Sequence, residues 1–535
     1  MIDWVGLGVA ALWVVGSALV LVALGWASWQ GRLCGRRLRA VWSPRHGLML
    51  DVGLLGVALA ILLKACGRWE IALAGVGAFA FAAQVGIDVR GVRKEEDNCG
   101  DRLPGEAMTP PRKGVRRIAR ALQQAELPVA LMLTVPMIFL LQYAPYALGV
   151  AVLLWIVRWV ALGHPTRPTP VDGAILILLF QAGVSLWVTA AFDLTWIALN
   201  QLLAGILVFY AVVNWAGQTG RLSAIVLLLL LLGAALALVP LVAQMSWSDE
   251  KIFRLPDRLL SFKPVLPEDV NANVLGGNLV PILPLALAGM SSSVWRGLRK
   301  IGKVLARALA GLVSVLMLVT LVLAQSRGAV VALAVGLVGF VWLRYRWCRY
   351  ALPVLLVLAC VGLILVEPSQ VTGRTSNPYV DVAERRLDLW SRAIYAAQDF
   401  AFTGIGLGTF VKAIPLFYPC FPHDLDTQVG HAHNLFLQVA VDLGLPGLVA
   451  YVAFLFASVA AAWRLWRVRA DPGYRALGAA FLAAYVILIV HGLVDAVTWG
   501  TKPAFVQWMI AGLVFATANN AARSPRVGGA ADAGA

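Results

Sequence analysis

Long apolar runs recur along this chain, separated by short polar joints. A helix needs roughly 20 largely apolar residues to cross about 30 Å of hydrocarbon. By that measure the pattern predicts about fifteen membrane-spanning helices. They are Trp4–Ala27, Leu48–Leu63, Ile71–Ile87, Leu127–Tyr143, Ala147–Leu162, Ala174–Ala190, Thr195–Ala216, Leu222–Val242, Leu275–Met290, Ala308–Ala324, Ala329–Leu343, Ala351–Val366, Leu445–Trp463, Leu477–Val494 and Phe505–Ala518. Leu48–Leu63 and Ala329–Leu343 are short runs that fit the bilayer least well. The expected fold is an all-α polytopic membrane protein of roughly 12–15 transmembrane helices with one large folded external loop.

Composition agrees: 60% of the residues are hydrophobic and 13% charged, whereas a soluble domain is nearer half apolar and a quarter charged. A soluble globular class is excluded. The formal charge of +16 is read as membrane topology, because cytoplasmic loops retain Lys and Arg. Basic residues gather in alternate loops: Arg32 to Arg39, Arg90 to Arg120, Arg296 to Lys303, Arg344 to Arg349, Arg464 to Arg475, and Arg523 with Arg526. That side is assigned to the cytoplasm, with the N-terminus outside and the C-terminus inside. The excess charge is then topological bias plus attraction to anionic lipid, so the bilayer is a partner and nucleic acid is not.

Met1-Ile-Asp3 carries no basic n-region and the first apolar run is longer than an h-region, so it is expected to stay as a membrane span. Residues 90–126 mix both charge signs with Pro104, Pro110 and Pro111 and read as a cytoplasmic linker; residues 521–535 read as a cytoplasmic tail. The intervening organisation is N-terminal helices over 1–244, an external loop over 245–274, helices over 275–366, a larger external loop over 367–433, and C-terminal helices over 434–520. Six cysteines show no paired spacing and read as thiols, although Cys66 and Cys420 fall on the same outer side. No Walker A or zinc-binding CxxC pattern occurs, and no metal or other cofactor is expected.

Chemistry is therefore sought in the larger external loop, whose apolar pattern predicts folded structure. From about Asp381 the pattern places Ala383, Leu387, Trp390, Ile394 and Ala397 on one stripe of an amphipathic helix. Arg386 falls at the edge of that stripe, where its charge either faces a cavity or binds lipid phosphate and neighbouring carboxylates. The alternating glycines of Thr403-Gly404-Ile405-Gly406-Leu407-Gly408-Thr409-Phe410 permit a tight turn. Without a preceding strand they predict packing rather than a nucleotide site.

Three of the chain's six histidines, His423, His431 and His433, then fall within eleven positions at an outer membrane boundary. Three readings compete. One imidazole is a general base for a hydroxyl nucleophile; or His423, Asp424, Asp426, His431 and His433 bind a metal; or the histidines cap a helix that begins near Asn434.

Three other places point to the same side. Ser326-Arg327-Gly328 joins two antiparallel spans with almost no loop, and an arginine there either snorkels or serves function. Asn271, Asn273 and Asn278 approach the ninth span ahead of Pro281 and Pro284, which should distort it. His491 and Asp495, about one helical turn apart, are placed to pair.

Arginines fix phosphates by charge-assisted, often bidentate hydrogen bonds, so this set suits a lipid-linked pyrophosphate substrate. Five motifs occur in order: Asn271-Ala-Asn-Val-Leu-Gly-Gly-Asn-Leu-Val-Pro-Ile-Leu-Pro284, Gln325-Ser-Arg-Gly-Ala329, Arg386-Leu-Asp-Leu-Trp390, Gly404-Ile-Gly-Leu-Gly-Thr-Phe410, and His433-Asn434 leading to Gln438 and Asp442-Leu-Gly-Leu-Pro-Gly447. Over roughly Asn271 to Trp463 the chain resembles the O-antigen ligase and polymerase superfamily, membrane glycosyltransferases of bacterial surface polysaccharide assembly. The resemblance implies a GT-C-like bundle in the bacterial inner membrane with its active site facing the periplasm. It implies inverting, metal-independent transfer of a glycan from undecaprenyl pyrophosphate to an acceptor hydroxyl, on a glycan or on lipid A-core. Carried over, it gives Arg327 and Arg386 the pyrophosphate, and His433 or His431 the role of base. His433 is preferred because Asn434 follows it as in the motif; Arg385, Asn434, Gln438, His491 and Asp495 are accessory candidates. The chain has about three more predicted spans than the dozen usual in the ligases. Ligases, polymerases and protein-glycan transferases share the motifs, and no large C-terminal external domain favours the last. A transporter or flippase of lipid-linked saccharide is the competing class, although transporters bind near the midplane on broken helices.

Overall fold

The computed structural model describes residues 4–34, 44–64, 113–216, 221–246, 266–345 apart from 292 and 296, 378–419, 430–468 and 471–523. The predicted spans Ile71–Ile87 and Ala351–Val366 lie outside these residues, as do His423, Asp424, Asp426, Cys66, Cys420 and the side chain of Arg385. Among the described residues, eight helices are long and apolar enough to cross a membrane, and four further apolar stretches, 48–57, 124–138, 172–188 and 226–241, are shorter. The protein is an all-α, multi-pass membrane protein. Its described strands form one small parallel ladder, which the apolar pattern did not predict.

The chain divides into two compact units. The first comprises Met1–Trp215, Tyr395–Gln428 and Val439–Ala460. It opens with α1 (Trp4–Cys34) and α2 (Pro44–Lys64), which cross at glycines: a Cβ on Gly16 would lie 2.6 Å from the Gly53 carbonyl oxygen, and the converse distance is also 2.6 Å. Small residues permit this backbone approach where apolar side chains gain nothing over lipid. There follow α3 (Lys113–Ile138), α4 (Ala144–Leu162), α5 (Asp172–Val188) and α6 (Phe192–Ala216). Because α3 starts at Lys113, the last part of the expected linker is helical, and Glu126 is carried on it. Glu126 pairs with Arg158 of α4 and accepts from Asn214 Nδ2 of α6 at 2.6 Å. With only 3% of its side chain exposed, Arg158 is compatible with the apolar α4 because it is paired.

The glycine turn belongs to this unit, and its environment is structural. Gly404, Gly406 and Gly408 all have positive φ, and a Cβ on Gly404 would lie 2.4 Å from the Asp442 carbonyl oxygen. Side chains of α5 and α6 hold the turn: Ser185 Oγ accepts from Leu407 N at 2.5 Å, and Thr195 Oγ1 donates to Leu407 O at 3.0 Å. Gln181 donates to both Phe402 O and Leu443 O. The turn leads into α13 (Phe410–Phe417).

The second unit comprises Ala216–Ile394, Val429–Gln438 and Ala461–Ala535. After α7 (Arg221–Leu238), β1 (Ala243–Ser246) pairs in parallel with β2 (Leu266–Asn271), Ser246 opposite Asn271. Asn271 then caps α8 (Ala272–Leu279), its Oδ1 accepting from Asn273 N at 2.8 Å. A 3-10 segment, Val280–Ile282, separates α8 from α9 (Leu283–Gly289), so Pro281 and Pro284 break this span as predicted. Next are α10 (Lys300–Ala324) and α11 (Arg327–Arg344), joined through Gln325 in the left-handed region and Ser326.

Helix α12 (Pro378–Asp399) confirms the amphipathic segment but turns it relative to the predicted stripe. Ala393 and Ala396 are fully buried, whereas Leu387 is 40% exposed. Arg386, Trp390, Ala393 and Ala397 share the inward side at helical spacing, which moves Arg386 from the edge towards the buried face.

Helix α14 (Leu435–Arg467) starts ten residues before the predicted span and breaks at Gly444, where φ is 70° and Pro446 follows. The last helices are α15 (Pro472–Gly492) and α16 (Phe505–Arg523). Helices α11 and α15 pack closely at Gly336, where a Cβ would meet the Ile487 side chain at 2.3 Å.

Candidate active site

The site is built where three chain segments of the second unit end: the loop entering α14, the loop leaving α15, and the α10–α11 joint. Asn434 is the N-cap of α14, its Oδ1 accepting from both Phe436 N and Leu437 N at 3.0 Å. This removes the capping role from the histidines. Asn434 Nδ2 also donates to Leu493 O at 3.1 Å, tying the start of α14 to the end of α15. One turn on, Gln438 Oε1 accepts from Ala432 N at 2.8 Å and fixes the residue between the two histidines.

His433 has φ +47°, a left-handed conformation uncommon for a side-chain-bearing residue but several-fold enriched in histidine. The reversal brings its ring edge-on to that of His431, with centroids 4.3 Å apart. Both rings face Asp495, which follows α15: His433 Nδ1 lies 3.3 Å and His431 Nε2 3.7 Å from Asp495 Oδ1. Exposure is divided unequally. The carboxylate is 7% exposed, whereas the imidazoles keep 30% and 34% of their side-chain surface open. The acid is thus walled in behind two rings that present themselves to a ligand.

The two rings differ chemically. His433 N donates to His431 Nδ1 at 3.2 Å, so the His431 proton sits on Nε2 and points towards Asp495. Burial, reinforced by His433 and Arg386 against the opposing pull of Asp495, pushes the His431 imidazole down to about 4. Its contact with Asp495 at neutral pH is therefore between a neutral ring and a carboxylate rather than an ion pair. Burial pushes Asp495 up, but the hydrogen bond with His433 and the surrounding imidazoles outweigh it and hold the carboxyl below its ordinary value. Asp495 Oδ1 also accepts from Ala496 N at 2.9 Å.

His491 and Asp495, one turn apart, interact electrostatically as their spacing suggests, and Asp495 N donates to His491 O at 2.9 Å. His491 is also wedged between glycines of two other helices. A Cβ on Gly277 would lie 2.7 Å from its ring, and one on Gly328 3.6 Å. Asn278, next to Gly277, donates from Nδ2 to Val497 O at 3.0 Å and to Val274 O at 2.9 Å, locking α8 to the loop after α15.

That packing brings the first residue of α11, Arg327, to the same end of the unit as the histidines, with its side chain exposed. Arg386, half-buried on α12, is within electrostatic range of both His431 and His491. Of the residues singled out from sequence, His431, His433, Asp495, His491, Asn434, Gln438 and Arg386 converge here, and Arg327 stands next to Gly328, which packs near His491. Asn271 and Asn273 form only the α8 cap. The glycine turn and Asp442 belong to the first unit's packing. Sequence reasoning missed Gly277 and Gly328 as the seat of His491, although each stands within a quoted motif.

His431, His433 and Asp495 are also the one group of three ligand-type side chains among the described residues whose atoms converge, all within 4.8 Å of one another. The chemistry available is a carboxylate-oriented imidazole at His433, with the Arg386 guanidinium in electrostatic range of the neighbouring His431, a set suited to removing a proton near an anionic ligand.

No curated protein matches the chain. Residues 312–452 match the family model described as O-Antigen ligase, and this stretch, which runs from α10 into α14, takes in Arg327, Arg386 and His433.

Proposed function

We propose that this protein is a glycosyltransferase that moves a glycan from undecaprenyl pyrophosphate to an acceptor hydroxyl, with inversion and without a metal, at the periplasmic face of a bacterial inner membrane. The observation that carries the reading is the His433–Asp495 pair, with Arg386 in electrostatic range of the adjoining His431; His433 and Arg386 both lie in the stretch that matches the O-antigen ligase model.

Asp495 accepts the Nδ1 proton of His433, which leaves the Nε2 lone pair to take the proton of the acceptor hydroxyl. The acceptor oxygen attacks the anomeric carbon in line as the bond to pyrophosphate breaks. Negative charge grows on the departing phosphate, and Arg386 and Arg327 neutralise it. His433, rather than His431, is the base, because both nitrogens of His431 are committed: Nδ1 accepts from the backbone and Nε2 faces the carboxylate. The donor is a lipid-linked glycan, and the acceptor a glycan or a lipid A-core.

The test is glycan transfer by the purified full chain in detergent, given undecaprenyl-pyrophosphate glycan, candidate acceptors and EDTA. Transfer in chelator supports the reading, and the working acceptor separates ligase from polymerase. If no acceptor is glycosylated while lipid-linked glycan changes leaflet in proteoliposomes, the protein is a flippase and the reading is wrong.

A further inference from the structure

The arrangement that leaves His433 Nε2 free is the arrangement a transition metal would disturb. His431 Nε2, His433 Nδ1 and an Asp495 carboxylate oxygen lie within 4.8 Å of one another, with nitrogen-to-oxygen separations of 3.3 and 3.7 Å. Two metal-to-ligand bonds of about 2.0–2.1 Å at a tetrahedral angle set neighbouring ligand atoms about 3.3 Å apart. The donor set of two imidazoles and one carboxylate suits Zn²⁺ and Co²⁺ rather than Mg²⁺ or Ca²⁺, which prefer all-oxygen shells. The open surface on both rings leaves a path for the ion and room for a water in the fourth position.

We propose that His431, His433 and Asp495 form a divalent transition-metal site and that filling it switches the enzyme off. The chemistry follows from the tautomers. In the metal-free site Asp495 holds the His433 proton on Nδ1, and Nε2 is the basic atom. A metal on Nδ1 needs that lone pair, so the ring proton moves to Nε2, and the nitrogen that would accept the acceptor's proton is already protonated. His431 undergoes the same exchange: ligation through Nε2 moves its proton to Nδ1, and the 3.2 Å bond from His433 N opens. Each ring keeps one proton, no oxidant or reductant is needed, and the ion's charge is partly balanced by the buried carboxylate. The metal-binding half stands on geometry alone, whereas the inhibitory half rests on His433 being the base.

The experiment uses the full chain in detergent, stripped with EDTA and then freed of chelator. Co²⁺ is titrated while the visible d–d absorption is followed, and Zn²⁺ is used to displace it. The inference expects one equivalent of Co²⁺ with an intense four-coordinate spectrum, displaced by Zn²⁺, and a spectrum lost in Asp495→Asn and His431→Ala proteins that retain the wild-type unfolding temperature. In parallel, glycan transfer should fall at least tenfold when one equivalent of Zn²⁺ is bound, and recover on adding EDTA. Transfer in EDTA together with no Co²⁺ spectrum overturns this inference and leaves the proposed function standing. A bound metal with full transfer overturns the inhibitory half and the assignment of His433. A bound metal with no transfer under any condition keeps the site but rejects the glycosyltransferase reading.

Discussion

His433 and Asp495 are 62 positions apart in the chain, yet their side chains meet at 3.3 Å, the imidazole facing outward and the carboxylate enclosed behind it. An enclosed acid that accepts from Nδ1 fixes both the orientation and the tautomer of the ring. Asp495→Asn removes the charge and offers a donor where an acceptor is needed. The expected result is a fall in kcat of about 10²–10⁴ with little change in KM. Steady-state transfer kinetics check this; a change confined to KM would make Asp495 a binding residue instead.

Arg386 and Arg327 are assigned to the departing phosphates, so their loss should act on the chemical step. Replacing either by Ala should lower kcat by about 10²–10³ while the protein still inserts and folds. Arg386→Lys keeps the charge but loses the planar fork, and should recover only part of the rate. Full activity in the Lys variant would mean that a point charge suffices, and full activity in either Ala variant would remove that arginine from the site.

The His431 imidazole, pushed down to about 4 by burial, gives a signature in stability. Between its ordinary value near 6.5 and 4, the unfolded chain binds a proton that the folded chain does not, so stability falls as pH drops through that window. The loss is on the order of 3 kcal/mol for a shift of this size. Asp495, held below its ordinary value, adds its loss only at lower pH. Thermal unfolding in EDTA from pH 7 to 4.5 should show a decline that is flatter in His431→Ala. Parallel curves for the two proteins would contradict the assigned protonation state.

The glycine turn gives a contrasting prediction, because it acts through packing. Gly404→Ala introduces a Cβ at positive φ against the Asp442 carbonyl oxygen. It should cost about 2 kcal/mol or more and lower the unfolding temperature. Wild-type stability in this variant would mean the turn tolerates a side chain and is held for another reason.

Much of this was legible in the sequence because hydrocarbon imposes length and apolarity on every span. The Pro281 and Pro284 break, the helix start near Asn434 and the His431–His433 spacing are local features, and each appears where the pattern put it. The losses have physical reasons. Arg158 is a single charge inside an apolar run, and its partner Glu126 lay in a stretch that read as linker, so their pairing was hidden. The membrane span was started only at Leu445, ten residues into the helix expected from near Asn434, because Gly444 and Pro446 interrupt the apolar run. The face of α12 was misjudged because two alanines, Ala393 and Ala396, carry the close packing while larger Leu387 stays exposed. The choice between Asp495 partners depended on a left-handed residue, His433, which no periodicity reveals.

The proposed reaction turns on one imidazole, that of His433, taking the acceptor's proton. The most direct measurement compares initial transfer rates of His433→Ala and His431→Ala with wild type, in detergent and EDTA, at equal amounts of folded protein. The His433 variant should lose at least about 10³-fold in kcat and the His431 variant less than about tenfold. A His433→Ala protein that transfers glycan at the wild-type rate, or a reversed order of the two, would contradict it.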